Sequence, residues 1–231
     1  RSYQIWLPHE FNINNRNYKE LDDKSLEKLR VSWNISMTDF RFFPLSKYYP
    51  IGTSVLLNKL YLSPKFYNPY HFSKKLLTSY RVGNSSNSKY SYQRKQIKNI
   101  LDNYINTNHN IVLGTPIKKN DYLKELRESK LTISPFGWGE ICYRDFEAIL
   151  NGSLLVKPNM DHIETWPNLY HKYYSYLPIK WDLSDIADVL FNVDQDYEQY
   201  VSIVTNAQEL FEEYYNDSTK FINHFELQII E

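Results

Sequence analysis

From Leu76 onward, short apolar runs alternate with stretches of helical periodicity, and this alternation limits the fold more than any other feature of the chain. Residues 76–80, 110–114, 131–134 and 153–156 read as strands, with 173–177 as a further one. Between them, residues 92–104 place Ile97, Ile100, Leu101 and Tyr104 at helical spacing. Residues 120–129 read as a helix opened by the capping residues Asn120 and Asp121, and 143–150 as a helix closed by Asn151-Gly152. Residues 183–191 and 197–215 follow as helices, with a last one from Ser218. Strands alternating with helices predict a parallel sheet covered on both faces. Such a sheet binds ligands in the crevice at the carboxyl ends of its strands, so the loop after Ser134 is the first place to look for a site.

The first third is less regular. Residues 24–29 read as a short helix and 30–35 as a strand. Pro44, Pro50, Pro64 and Pro69 argue against long elements between 43 and 74. The polar stretches 12–23 and 81–92 read as loops. A chain of 231 residues suits one large domain or two small lobes. The reading here is a reduced amino-terminal lobe over 1–75, taken as the acceptor side, and a Rossmann-like domain over 76–231.

Charge and composition narrow the partners. Lys+Arg and Asp+Glu both number 27, which argues against bulk electrostatic binding to nucleic acid or to an anionic membrane. No apolar run approaches the length of a membrane span. The lone Cys142 cannot form an internal disulfide, and with no signal-peptide pattern at the start a reducing, cytoplasmic setting is expected. The 21 Tyr, 12 Phe and 5 Trp fit either a ring-built core or a cleft that stacks on sugars or bases.

The chemistry concentrates in Ser134-Pro135-Phe136-Gly137-Trp138-Gly139-Glu140 and in Tyr143-Arg144-Asp145-Phe146-Glu147. Gly137 and Gly139 allow a sharp turn and close approach of a ligand to the backbone. A helix starting near Glu140 would aim free amides and its dipole at a diphosphate. Arg144, one turn on, can add a bidentate phosphate contact. Glu147 shares a face with Arg144 and could accept both hydroxyls of a ribose, although a solvated surface ion pair would show the same spacing. The strand ending in Lys157-Pro158 and the polar, aromatic loop Asp161-His162-Ile163-Glu164-Thr165-Trp166-Pro167 follow beside it.

Arg144-Asp145-Phe146-Glu147-Ala148, then Gly152, then Leu155-Val156-Lys157-Pro158, resembles the donor-binding half of exostosin-like and related glycosyltransferases of the two-Rossmann GT-B type. Ser79-Tyr80-Arg81 and Gln93-Arg94 extend the resemblance to the basic residues those proteins carry after a strand and on the following helix. The resemblance covers roughly residues 80–170, and multi-domain glycosyltransferases of large algal viruses are similar in kind. It implies a hexosyl- or deoxyhexosyltransferase that takes a UDP- or GDP-sugar donor and a glycan acceptor, needs no metal or other cofactor, and is covalently linked to further enzyme domains. Glu147 would hold the ribose. The leaving diphosphate would be neutralised by the Gly137–Glu140 amides, Arg144, Arg81 and Lys157. Trp138, Tyr143, His162 and Thr165 complete the donor-binding set. Asp39 and Glu140 are the candidate catalytic carboxylates, with Asp39 as the base that takes the acceptor proton. An inverting and a retaining outcome both stay open.

Simpler readings stand beside these. Asp39 with Arg41 makes a plausible local ion pair, His9-Glu10 has similar standing, and His162 could be a structural loop residue. No Asp-x-Asp motif of the kind that holds a divalent ion is read in the chain, and Asp182 with Asp185 fits helix capping. Cys142 fits a buried small hydrophobe. A non-catalytic nucleotide- or carbohydrate-binding module is the competing function, and a structural interaction domain the third.

Overall fold

The computed structural model describes residues 5–6, 24, 64–81, 92–105, 110–137 and 139–230. Asp39, Arg41, His9, Glu10, Trp138 and all of the first 63 residues but Ile5, Trp6 and Lys24 lie outside the described residues.

In chain order the elements are β1 (Ile5–Trp6), β2 (Leu76–Arg81), α1 (Tyr92–Ile105), β3 (Ile111–Gly114), α2 (Lys119–Glu128), β4 (Ser129–Ile133), α3 (Tyr143–Leu150), β5 (Leu154–Pro158), β6 (Ile163–Glu164), β7 (Leu177–Ile179), α4 (Ile186–Gln195), α5 (Val201–Asn216) and α6 (Ser218–Ile230). Among the described residues, five strands form one sheet in the order β3-β2-β4-β5-β7, all parallel. A two-residue antiparallel ribbon joins Ile5 and Trp6 to Glu164 and Ile163.

The register sorts the sheet's residues into two unlike faces. Ile111, Leu131, Ile133, Leu154, Val156, Leu177 and Ile179 share one face and join Ile97 and Leu101 of α1 and Ile186, Leu190 and Val193 of α4 in a single apolar core. The other face, under α2 and α3, is partly polar. Thr132 and Ser153 hydroxyls share a hydrogen bond, Ser134 reaches Asp145, and Lys157 is fully buried, while Leu155 packs on Ala148. Helices on both faces of a parallel sheet match the α/β, Rossmann-type expectation.

Several boundaries differ from the expected ones for identifiable reasons. α2 has Lys118 at its N-cap with no side-chain cap, so Asn120 and Asp121 fall inside its first turn, where an acidic group still suits the helix dipole. α3 spans the 143–150 read from the sequence, and its start lies at Tyr143 and not near Glu140, because the Asp145 carboxylate caps the Cys142 amide. Glu140 therefore lies in the bend before α3. Residues 173–176 form a turn with Tyr173 at φ 58, and the strand is Leu177–Ile179. Leu183, at φ 64, sits in a turn ahead of α4. Asp182 and Asp185 accept from the Ser184 and Lys180 amides in that turn and do not cap α4.

Candidate functional site

Two neighbours in the sheet, β2 and β4, send their chains in opposite directions along it: β2 leads to β3 at one edge, and β4 leads to β5 and β7 at the other. At such a switch point the loops leaving adjacent strands diverge and open a crevice at the carboxyl ends. Arg81 ends β2, and Ser134 follows β4.

The loop after Ser134 folds tightly on itself. The Gly137 amide donates to the Gly139 carbonyl at 2.9 Å. The Cys142 thiol lies within weak hydrogen-bonding reach of the Pro135 and Gly139 carbonyls, at 3.5 and 3.8 Å. Burial pushes that thiol up, so it holds the turn as a neutral group, a more specific part than that of a small hydrophobe. Gln93, at the start of α1, accepts from the Phe136 amide at 3.2 Å.

Arg94 follows Gln93, and its guanidinium reaches the turn: a methyl group placed on Gly137 would lie 3.0 Å from Arg94 Nη2. The buried Arg94 Nε has no hydrogen-bond partner among the described residues. Arg144, half-buried on the first turn of α3, has the Tyr122 hydroxyl of α2 close enough to favour its charge. The charges of both arginines act on Tyr80 and on Cys142, so two cations converge on one turn. Among the described residues, neither forms a salt bridge with a carboxylate.

Other residues of the predicted set are already engaged. Arg81 makes a forked pair with Glu125, at 3.0 and 2.7 Å, and Ser79 donates to the same carboxylate. Its guanidinium passes so close over Gly114 that a Cβ there would sit 2.5 Å from Nη1. Lys157 is fully buried against Asp145 at 3.0 Å, with its ammonium 5.3 Å from the Phe136 ring centroid. Its charge faces the interior of α3 and β5 and not the crevice. Thr165 is buried and donates to Asn168. Tyr143 is exposed.

Glu147 is half-buried. Burial raises its carboxyl, while Lys119 and Arg144 favour its charged form. It thus lies between α3 and the start of α2. Glu140 is raised too, mainly by burial, against the opposing pull of its own backbone amide and of Lys157. His162 is buried beside Trp181 and Phe136, and burial lowers it to about 4, so its imidazole is neutral at pH 7. The polar, aromatic loop from Asp161 to Pro167 buries His162, Ile163, Thr165 and Pro167.

Asp145 and Arg94 are the residues whose weight the sequence understated. Asp145 looks like an ordinary member of an acidic helix start. A signal for Arg94 existed in its place one residue after Gln93, at the beginning of the helix that follows β2. The expectation of metal independence also overlooked Asp194-Gln195-Asp196, an Asp-x-Asp triplet. It ends α4 at the amino-terminal side of the sheet, with Asp194 paired to Lys130 at 2.8 Å, across the sheet from the carboxyl-end loops. No three His, Cys, Asp or Glu side chains gather as a metal set among the described residues.

No protein-family model matches the chain, and no curated protein matches it. Solved structures do. A TarM variant of S. aureus in complex with fondaparinux, alpha-GlcNAc-glycerol and UDP is 14% identical over 76% of this chain, at a TM-score of 0.48. The C-terminal domain of LpcC, a group 1 family glycosyl transferase of Francisella tularensis, is 13% identical over 55% of this chain and 65% of its own, at 0.39. Anabaena HepE in complex with UDP is 13% identical over 71% of this chain, at 0.38. The chain spans 41% of the TarM structure and 49% of HepE. At these identities and scores the likeness fixes neither a family nor an activity, and the functional reading rests on this chain's own geometry.

Proposed function

We propose that the domain from Leu76 onward binds the nucleoside diphosphate of an activated sugar and belongs to a glycosyltransferase with an exostosin-like donor half. The observation that carries this reading is the convergence of Arg94 and Arg144 on the Gly137–Cys142 turn, at a helix start and at the switch point of a parallel sheet. Two cations, one with an unpartnered Nε among the described residues, beside a helix start suit a dianionic leaving group.

In the transfer, an acceptor hydroxyl oxygen bonds to the sugar's anomeric carbon as the bond from that carbon to the diphosphate oxygen breaks. The acceptor proton passes to a base, for which Asp39 is the candidate from the first lobe and Glu140 the candidate from the loop. Negative charge develops on the departing diphosphate, and fixed cations placed there lower the barrier. Arg94 and Arg144 take that role. Arg81 can join them by exchanging one Glu125 oxygen for phosphate, and Lys157 contributes by holding Asp145. Glu147 is placed to accept ribose hydroxyls. The charge balance needs no divalent ion.

A thermal-shift panel of UDP, GDP, CMP and ADP tests the reading, with and without EDTA. A nucleotide at 100 times its Kd stabilises the fold by about 2.7 kcal/mol. A shift with UDP or GDP that survives EDTA is expected. No shift with any nucleotide would leave the carbohydrate-binding or purely structural alternatives, and a shift abolished by EDTA would return the metal to the mechanism.

A further inference from the structure

Three consecutive strands of the sheet each deliver one ring to the same place. The loop after β4 brings Phe136, the loop after β5 brings His162, and the residues after β7 bring Trp181. Trp181 meets His162 edge to face at 4.3 Å between centroids and 76° between planes, and Phe136 at 5.6 Å and 88°. Phe136 and His162 lie 6.1 Å apart.

Trp181 is 43% exposed, yet it is tied on two sides. Its indole N–H donates to the Asn159 carbonyl at 2.9 Å, and its own carbonyl accepts from the Gln93 amide at 3.2 Å. The same Gln93 holds the Phe136 amide, so one side chain fixes two members of the cluster. With its N–H already bonded, what Trp181 shows to solvent is carbon. An exposed indole held in a fixed orientation at a carboxyl-end crevice is well suited to stacking. The neutral imidazole of His162 leaves the surface without a positive charge of its own.

We infer that the exposed indole of Trp181, braced by Phe136 and His162, is a platform that stacks the C–H face of a pyranose ring. A sugar presents one apolar face of C–H groups with hydroxyls around its rim, which matches the exposed face of a single indole ring held edge-on by Phe136 and His162. Phe136 directly precedes Gly137, so the platform adjoins the turn assigned to the diphosphate, from which a donor's sugar hangs. This inference rests on the glycosyltransferase reading for its setting, but a sugar platform can exist without it. The ring can come from the nucleotide-sugar donor or from the acceptor glycan.

The test compares wild type, Trp181→Ala and Trp181→Phe, using UDP and UDP-glucose in calorimetry and an array of immobilised glycans. Trp181→Phe keeps a ring and reports on folding. If the donor supplies the ring, Trp181→Ala weakens UDP-glucose about three- to tenfold, leaves UDP unchanged, and Trp181→Phe restores part of the loss. If the acceptor supplies it, both nucleotides are unchanged and glycan binding falls by a similar factor. Glycan binding lost with Trp181→Ala in a protein that binds no nucleotide would keep the platform and remove the glycosyltransferase reading. An equal loss for UDP and UDP-glucose would make the platform a nucleobase site, and no sugar binding by wild type, or no effect of Trp181→Ala, would overturn the inference outright.

Discussion

The carboxylate of Asp145 accepts from Ser134 Oγ at 2.5 Å, Tyr170 Oη at 2.8 Å, the Cys142 amide at 3.1 Å and the buried Lys157 ammonium. These donors come from the end of β4, the loop before α3, β5 and the segment before β7, so one buried anion ties together the backbone that frames the turn. Its full burial is sustained only because each lone pair is used. Removing one member of the buried pair leaves the other charge unmatched, so Asp145→Ala should cost about 3–5 kcal/mol in urea denaturation, and pairing Asp145→Asn with Lys157→Met should cost less than Asp145→Ala. An additive double variant would mean that the two charges are not coupled. Glu147 is the residue-scale probe of nucleotide binding. If it accepts two ribose hydroxyls, Glu147→Gln should weaken UDP by about 1.5–3 kcal/mol and leave a dideoxy analogue unaffected, a difference that a double cycle in calorimetry reads directly. Equal losses for both ligands would place Glu147 in a structural role. The spacing of Arg144 and Glu147 was readable from the sequence because both lie on one helix. The engagement of Lys157 with Asp145 was not, because it depends on β5 lying beside β4 and on which face of the sheet α3 covers.

At the scale of elements, α3 shows how local chemistry sets both ends of a helix. Its start is fixed by the reciprocal capping of Cys142 and Asp145, and its end by Asn151 followed by Gly152 at φ 65. Gly152 is doubly constrained: a Cβ would strain the left-handed backbone and would lie 2.3 Å from the Tyr67 carbonyl oxygen. Tyr67 in turn donates its amide to the Leu150 carbonyl at 2.9 Å, and Gln208 of α5 bonds both Tyr67 and Ile149 carbonyls. Gly152→Ala is therefore expected to destabilise the fold by about 2 kcal/mol or more, measured by chemical denaturation, against the few tenths typical of a surface change. A neutral result would show that the 66–72 segment shifts freely. The C-terminal glycine was legible in the sequence, since glycine closing a helical pattern has one common cause. The run 143–150 was legible as well, but not the cap that starts it, which pairs a cysteine with an aspartate while Glu140 imitates a first-turn acid.

Across the whole molecule, the alternation of strands and helices was enough to predict a parallel sheet, but not the order β3-β2-β4-β5-β7 that puts the switch point beside the glycine turn. Strand order depends on contacts between segments far apart in sequence, and short apolar runs carry no label for their neighbours. The same long-range packing gives the fold a pH dependence. His162 is buried among rings supplied by three loops, and burial lowers it from 6.5 to about 4. Between those values the unfolded chain binds a proton that the folded chain does not, so stability falls as pH drops through this window. The contribution present above pH 6.5 is on the order of 2–3 kcal/mol and is lost toward pH 4. Glu140 and Glu147 act in the opposite sense. Their raised carboxyls bind protons in the folded state first, so they favour folding as pH falls. Total stability thus mixes both signs, and the useful quantity is the difference between wild type and His162→Gln, measured by urea denaturation at intervals from pH 7.5 to 4.5. That difference should be largest near neutrality and shrink steadily below pH 6.5, because the variant has no imidazole to protonate. A difference that stays constant over the whole range would mean that His162 accepts its proton in place, and that the ring cluster around Trp181 tolerates a charge at its centre.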